Sequence, residues 1–487
     1  MTLNFFFKEE DINSTLKWKN LSKVLSIPLE KIFYEIKLNK NKHFIYLARK
    51  ISFELAKKIK DLNIPGIYLI NDYKRYYPLG KLTSQLVGFT NIDNKGIEGV
   101  EKSFDKLLTG KPETIKVRID KNGKVIEKYT IKKSIPPNDI TLSIDSRYQK
   151  IVYCALNNAV ISNKANSGSA VLINIETGEI LSIVNSPSFD PNNSKQLFKE
   201  NPTIRNKAIT DMFELGSTVK PMIIMKALEK KIATPNTIMN ISPITINKHT
   251  IKDVFPCHGK LSITDILKKS SNIGVSKLSL LMPMSEIIDI YAKFKLGKST
   301  NIGLIGEKSG FLYSKNKHFS DLDKVSLSFG YGVMATPLQL ARVYTIIGRN
   351  GSSQPLSIIA KDYQKIKNNS TEQVFSKKII KIVSKMLETV TQPGGAGRKA
   401  AIKGYRIAAK TGTTKKLNSK KHYVKKYISY IAGIVPMSHP KFSLIIMINE
   451  PKSKKYYGGD VSAPVFKIIM SQILKLNNIL PDNLQKY

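Results

Sequence analysis

Cysteine is nearly absent. The 487 residues include only Cys154 and Cys257, and neither belongs to a CxxC pair, so a disulfide framework and a ribbon-type zinc site are excluded. Cys257 adjoins His258, but no HExxH and no second Cys/His cluster supplies further ligands at metal-binding spacing. The pair reads as part of a loop, and no metal or other cofactor is implied. Long apolar runs are missing as well. A membrane span needs about 20 mostly apolar residues, and a signal peptide an apolar core of about 7 to 15. Met1 to Phe7 is a short run closed off by Lys8, Glu9 and Glu10, so neither an anchor nor an export signal is expected from this sequence. Internal repeats and long low-complexity tracts are also lacking.

Acidic residues are outnumbered, 37 to 78, leaving a formal charge of +41. Such an excess raises the question of nucleic-acid or anionic-membrane binding. The lysines, however, are spread along the whole chain, and arginine, whose planar fork suits phosphate, is scarce. The charge therefore reads as compositional drift, with no nucleic-acid partner expected.

Hydrophobic residues make up 41% of the chain, which fits a folded globular protein, and its length calls for two or more domains. The first 135 residues are charged and broken into short segments, with a helix expected over 51–62. Ile135-Pro136-Pro137-Asn138-Asp139 reads as a linker, because consecutive prolines fix φ and remove donors. Domains are therefore placed at 1–135 and 136–487. In the second, Ser169 to Ile175 and Glu179 to Asn185 form a hairpin around Glu176-Thr177-Gly178. Tyr430 to Val435 and Phe442 to Ile448 form a second strand pair. Helical signals lie between them at Pro221 to Leu228, Ile263 to Leu267 and Thr336 to Ile347, the last with Thr336 as cap and Pro337 in the first turn. Strands at both ends with helices between predict an α+β fold whose terminal strands meet in one sheet.

Three motifs carry chemistry. Gly216-Ser217-Thr218-Val219-Lys220 is an SxxK opening an apolar helix. Residues three apart share a helix face, so the Ser217 hydroxyl and the Lys220 amine can meet as nucleophile and base. SxxK alone recurs by chance here, as Ser14 to Lys17 and Ser314 to Lys317 show; only Ser217 joins a preceding glycine to a following apolar helix. The second motif is Ser270-Ser271-Asn272, whose outer residues can both face a cleft, although a cap or turn would use the same residue types. The third is Lys410-Thr411-Gly412-Thr413, offering a fixed charge, a hydroxyl and a backbone open to close approach; its bland reading is an edge strand followed by a turn. In this order the three are the signature of penicillin-binding proteins and class A β-lactamases.

The resemblance extends further, through Ile209 to Pro221, Lys269 to Lys277, Phe329 to Gly332, Thr336 to Ala341 and Lys403 to Arg406. The chain resembles class B penicillin-binding proteins, in particular the division-specific peptidoglycan D,D-transpeptidases. Arg75 to Pro78 and Gly88 to Lys102 resemble that family's non-catalytic pedestal. The resemblance implies a transpeptidase domain of antiparallel sheet flanked by helices, preceded by a smaller mixed pedestal. It implies that Ser217 forms an acyl-enzyme with the penultimate D-Ala of a stem peptide, with Lys220 as general base. Ser270 and Asn272 would relay protons and hold the peptide. Lys410 and Thr411 would bind the substrate carboxylate beside Gly412, and the N–H groups of Ser217 and Thr413 would form the oxyanion hole. It further implies peptidoglycan stem peptides and divisome membrane proteins as partners, β-lactams as inhibitors, and the periplasmic face of the bacterial inner membrane at the division site. The family's N-terminal membrane helix is expected to be missing from this chain, and Leu215 stands where the family usually carries proline.

Competing readings keep the same chemistry or remove it. A β-lactamase-like hydrolase needs a glutamate near a Leu-Asn pair after SxN, and no such pattern occurs. A D,D-carboxypeptidase would differ only in its acceptor. A non-catalytic scaffold or β-lactam sensor would show degraded motifs, whereas every motif residue is present.

Overall fold

A computed structural model describes residues 2–5, 15–39, 41–42, 44–120, 125–193, 203–254, 259–314, 319–360, 371–418 and 422–483. Cys257 with His258, as well as Ser14 and Lys317, lie outside the described residues. The chain divides into two compact units. The first comprises 1–78, 89–97 and 104–137; the second comprises 79–88, 98–103 and 138–487. The division is thus interleaved: two short segments ahead of the Pro136-Pro137 linker pack with the second unit.

In the first unit, strands β1 (Thr2–Phe5), β2 (Ile45–Ala48) and β3 (Ile67–Ile70) form an antiparallel sheet in the order β2-β1-β3. Helices α1 (Thr15–Leu25), α2 (Leu29–Leu38) and α3 (Phe53–Asp61) supply apolar stripes to a small core of Trp18, Leu21, Ile32, Ile36, Ile45, Ile59 and Ile64. The expected helix over 51–62 is α3, started by Ser52, whose hydroxyl accepts from Leu55 N. Trp18 is fully buried, with its ring 5.6 Å from that of Phe33. A hairpin of β4 (Thr114–Ile119) and β5 (Val125–Lys132) completes the unit.

The second unit is built on a five-stranded antiparallel sheet. Its first hairpin is β6 (Ser167–Asn174) and β7 (Ile180–Ser186), turned by Gly178 at a φ of 73°. After a short hairpin of β8 (Ile244–Ile246) and β9 (His249–Ile251), its far edge comes from β10 (Ala408–Leu417), β11 (Tyr423–Val435) and β12 (Phe442–Asn449), giving the order β10-β11-β12-β6-β7. The terminal strands meet as expected, with Ile445 opposite Val171 and Met447 opposite Ser169. Strands buried on both faces read as continuous apolar runs, and Leu444 to Ile448 is one. On one face, Tyr148, Val152 and Leu156 of α4 (Ser146–Ser162) and Phe466, Ile469 and Ile473 of the C-terminal helix Gly458–Leu476 pack against Leu172, Ile431, Leu444 and Ile446. Ser443, of the opposite parity on β12, lies against the carbonyl of Ala341 in α8 (Pro337–Gly348), so that helix covers the other face. The start of α8 is a full capping box: Thr336 Oγ1 accepts from Gln339 N while Gln339 Oε1 accepts from Thr336 N.

The helical layer holds α5 (Lys220–Glu229), α6 (Ile263–Lys269) and α7 (Asn272–Leu280). Helix α5 is buried along nearly its whole length, from Lys220 to Leu228. The segments 79–88 and 98–103 are tied into this unit by polar contacts. Gln85 Nε2 donates to the carbonyls of Pro187 and Thr203, Gln149 Nε2 donates to the Leu82 carbonyl, and Ile305 N donates to Ser103 Oγ.

Candidate active site

Ser217 sits one turn ahead of the helix. Gly216–Val219 is a 3-10 turn and α5 proper begins at Lys220 with Pro221 in its first turn. The serine is brought to the surface by two glycines lying back to back. Gly216 has a φ of 55° and donates its N–H to the Gly330 carbonyl at 3.1 Å. Gly330 has a φ of 88°, and a Cβ there would fall 2.1 Å from the Gly216 carbonyl oxygen. The loop 329–332, noticed in the sequence only as part of a resemblance, is therefore the backing plate of the serine turn.

Lys220 is fully buried, yet its Nζ does not hang in an apolar space. It donates to the Ser270 carbonyl at 2.7 Å, to Asn272 Oδ1 at 2.7 Å and to Ser270 Oγ at 3.3 Å. These groups lie on the bend between α6 and α7. Ser270 closes α6 in the left-handed region, with a φ of 62°; Ser271 caps α7, its Oγ accepting from Gly274 N at 2.9 Å; Asn272 is the first residue of α7. The expected cap is thus the middle residue, which frees its two neighbours to face the cavity. Burial pushes the Lys220 ammonium down to about 7, against a smaller opposing pull from the charge of Asp253.

Lys410 arrives from the sheet edge. On β10, Lys410, Gly412 and Thr414 share one face by strand alternation. That face meets the serine turn: a Cβ on Gly412 would lie 3.0 Å from Thr218 Cγ2 and 3.3 Å from the Leu215 carbonyl. Thr411 and Thr413 alternate to the other face, where Thr413 Oγ1 accepts from Gly458 N at 2.9 Å. The Lys410 side chain is fully buried and donates to Ser270 Oγ at 2.8 Å and to the Thr411 carbonyl at 2.9 Å. Burial and the neighbouring Lys220 hold its ammonium well below the ordinary lysine value. Two lysines therefore converge on one serine hydroxyl, and the low dielectric disfavours charging both.

These groups open on a cavity of about 620 Å³ lined by Ser217, Ser270, Asn272, Thr411, Gly412 and Thr413, with Tyr331, Arg398 and Tyr457 among its further walls. Six of the eight residues singled out in the sequence line this cavity, and the other two, Lys220 and Lys410, lie behind its wall and donate to Ser270. Asp253 also lines the cavity and carried no sequence signal: it follows the short hairpin of Ile244–Ile246 and His249–Ile251 in a stretch without a motif. Glu214 is the second residue missed. It is buried beside the serine turn, and its carboxylate accepts from Gly332 N at 2.8 Å and from the Tyr423 hydroxyl at 2.9 Å, 118 and 209 residues away. Burial raises its pKa.

Residues 168–471 match the penicillin-binding protein transpeptidase domain, and residues 4–142 match the penicillin-binding protein dimerisation domain. The chain is 64% identical over 478 residues to the peptidoglycan D,D-transpeptidase FtsI of Buchnera aphidicola subsp. Baizongia pistaciae, covering 98% of this chain and 83% of that one. It is 51% identical over 468 residues to the FtsI of Escherichia coli K12, covering 96% and 78%. A solved structure of the transpeptidase domain of Burkholderia pseudomallei penicillin-binding protein 3 aligns at a TM-score of 0.63 and 33% identity, over 71% of this chain and 99% of that one. Sequence, fold and site converge, and the chain belongs to the penicillin-binding protein transpeptidase family.

Proposed function

We propose that this chain is a peptidoglycan D,D-transpeptidase that cross-links stem peptides of the septal wall through an acyl-enzyme on Ser217. The observation that carries the reading is the shared Ser270 hydroxyl: Lys220 and Lys410, both fully buried, each donate to it. Lys220 in its neutral form is the base for the Ser217 proton, since an amine pushed down to about 7 is substantially unprotonated at neutral pH. As Ser217 Oγ adds to the carbonyl of the penultimate D-Ala, the N–H groups of Ser217 and Thr413 take the oxyanion. Loss of one such donor typically costs about 10² to 10³ in rate. The proton passes through Ser270 Oγ to the leaving D-Ala nitrogen, and Asn272 holds the peptide. Thr411 meets the substrate carboxylate from the cavity wall. Lys410, behind that wall, supplies positive potential and orients Ser270. An amine of a second stem peptide then takes the acyl group by the reverse sequence.

By the same reading the enzyme works at the division site, on the periplasmic face of the inner membrane, alongside membrane proteins of the divisome. Among the described residues no helix is long and apolar enough to cross a membrane.

Fluorescent penicillin provides the test. The wild type is expected to label covalently and Ser217→Ala to lose the label; an unlabelled wild type would sink the reading. A thioester donor then separates the acceptors. Product that depends on an added D-amino acid marks a transpeptidase, and acceptor-independent hydrolysis would demote it to a carboxypeptidase.

A further inference from the structure

Two carboxylates line the cavity, Asp460, which pairs with Lys399, and Asp253, which is hydrogen-bonded to the Ser270–Asn272 bend and which the scheme above leaves unused. Asp253 Oδ2 accepts from Ser271 Oγ at 2.6 Å, and its Oδ1 accepts from Asn272 N at 2.5 Å and Ile273 N at 3.0 Å. Nearby, Asn272 Nδ2 reaches the Lys252 carbonyl at 3.3 Å. Among the described residues Asp253 forms no salt bridge. An ordinary helix cap would satisfy the same N–H groups, and Ser271 already caps α7 from within the bend. What Asp253 adds is a full negative charge, on a loop from a different part of the chain, held against the bend that grips Lys220.

We propose that Asp253 is a positioning residue for acylation, fixing the Ser270–Asn272 bend against the two buried lysines and supplying the negative charge that faces them. Three hydrogen bonds from one carboxylate fix the start of α7, so Asn272 Oδ1 and the Ser270 carbonyl stay within reach of Lys220 Nζ. The charged groups facing Lys220 are Asp253 and, from β10, Lys410; Ser270 and Asn272 contribute neutral atoms. Asp253 is therefore the counter-charge to a site that otherwise concentrates cations. Its pull on Lys220 opposes the effect of burial and keeps the amine basic enough to accept a proton from serine.

This inference rests on Lys220 acting as the base, and the test separates the two. Second-order acylation by a fluorescent penicillin is followed from pH 5 to 9 for the wild type, Asp253→Asn and Asp253→Ala. Asparagine keeps an oxygen for the two N–H groups but removes the charge. Without that charge protonated Lys220 loses an attraction, its pKa falls, and the acid limb of the rate profile moves to lower pH by about half a unit or more. Alanine removes both functions and is expected to lose at least about tenfold in rate at pH 8, while asparagine recovers most of that loss. A limb in Asp253→Asn that coincides with the wild type's or moves to higher pH would overturn the electrostatic role. An Asp253→Ala variant that acylates at the wild-type rate would overturn the positioning role, whatever its melting temperature. A wild type without an acid limb would instead remove Lys220 as the base, and the inference with it.

Discussion

Lys220 and Lys410 end within hydrogen-bond reach of the same oxygen, and that arrangement has a pH signature. Lys220 is brought to about 7 chiefly by burial. In its proposed role as base, Lys220 is occupied by a proton below that value and free above it, so acylation is expected to rise with pH through about 7 and level off beyond. In the acid range each unit costs about tenfold. A stopped-flow pH series with a chromogenic cephalosporin checks this, and a flat profile between pH 5 and 8 would contradict it. Leu215 offers a second test at this scale. It lies at a φ of −80°, within proline's range, and Glu214 before it is in a strand, as the residue preceding a proline must be. Leu215→Pro is therefore expected to keep acylation, with a net stability change under about 2 kcal/mol, because the stiffer unfolded chain offsets a lost buried side chain. Ser217, Lys220, Ser270, Asn272 and Lys410, which the structure brings together, could be singled out as candidates in the sequence because each motif is local and its residue types suggest a chemistry. Asp253 was not: its partners lie 18 to 20 residues downstream, and a single aspartate after a short hairpin has no pattern of its own.

Among elements, the serine turn depends on its neighbours more than on its own helix. The SxxK spacing suggested one helical face, but Ser217 lies in a 3-10 turn whose path is set by Gly216 against Gly330. Gly330→Ala would place a methyl inside that contact at a φ that side chains rarely adopt. It should cost about 2 to 4 kcal/mol in urea unfolding and, with the serine displaced, most of the acylation rate. Retention of full activity would show that the backing loop is dispensable. Glu214 ties three elements together: strand Phe213–Glu214, the loop at Gly332, and β11 through Tyr423. Its motif neighbourhood was visible in the sequence, but its partners could only be found in space. The sheet was easier to read, because Ser169 to Ile175 and Phe442 to Ile448 are apolar enough to demand burial on both faces. Strand β11 was longer than expected, since its start, Tyr423-Val424-Lys425-Lys426-Tyr427, is largely exposed and interrupted by two adjacent lysines and gives no continuous apolar signal. The capping box at Thr336 was half visible: the Thr-Pro start was clear, and the reciprocal Gln339 bond was not. Thr336→Ala should cost about 1 kcal/mol, measured as a shift in urea midpoint.

For the molecule as a whole, the notable fact is two separate cores in one chain, interleaved in sequence through residues 79–103. Cutting at the Pro136-Pro137 linker would leave the second unit without Leu82, Gln85 and Ser103, each of which bonds to it. A fragment starting at residue 138 should therefore melt several degrees below one that restores those segments, as differential scanning calorimetry would register. The lone tryptophan of the sequence, Trp18, is sealed in the smaller core beside Phe33. An optical label thus lies in one unit of the chain and the serine proposed as nucleophile in the other. Indole emission in a urea titration will report the smaller half, antibiotic labelling will report the larger, and saturation with a penicillin should delay the second signal while leaving the first in place.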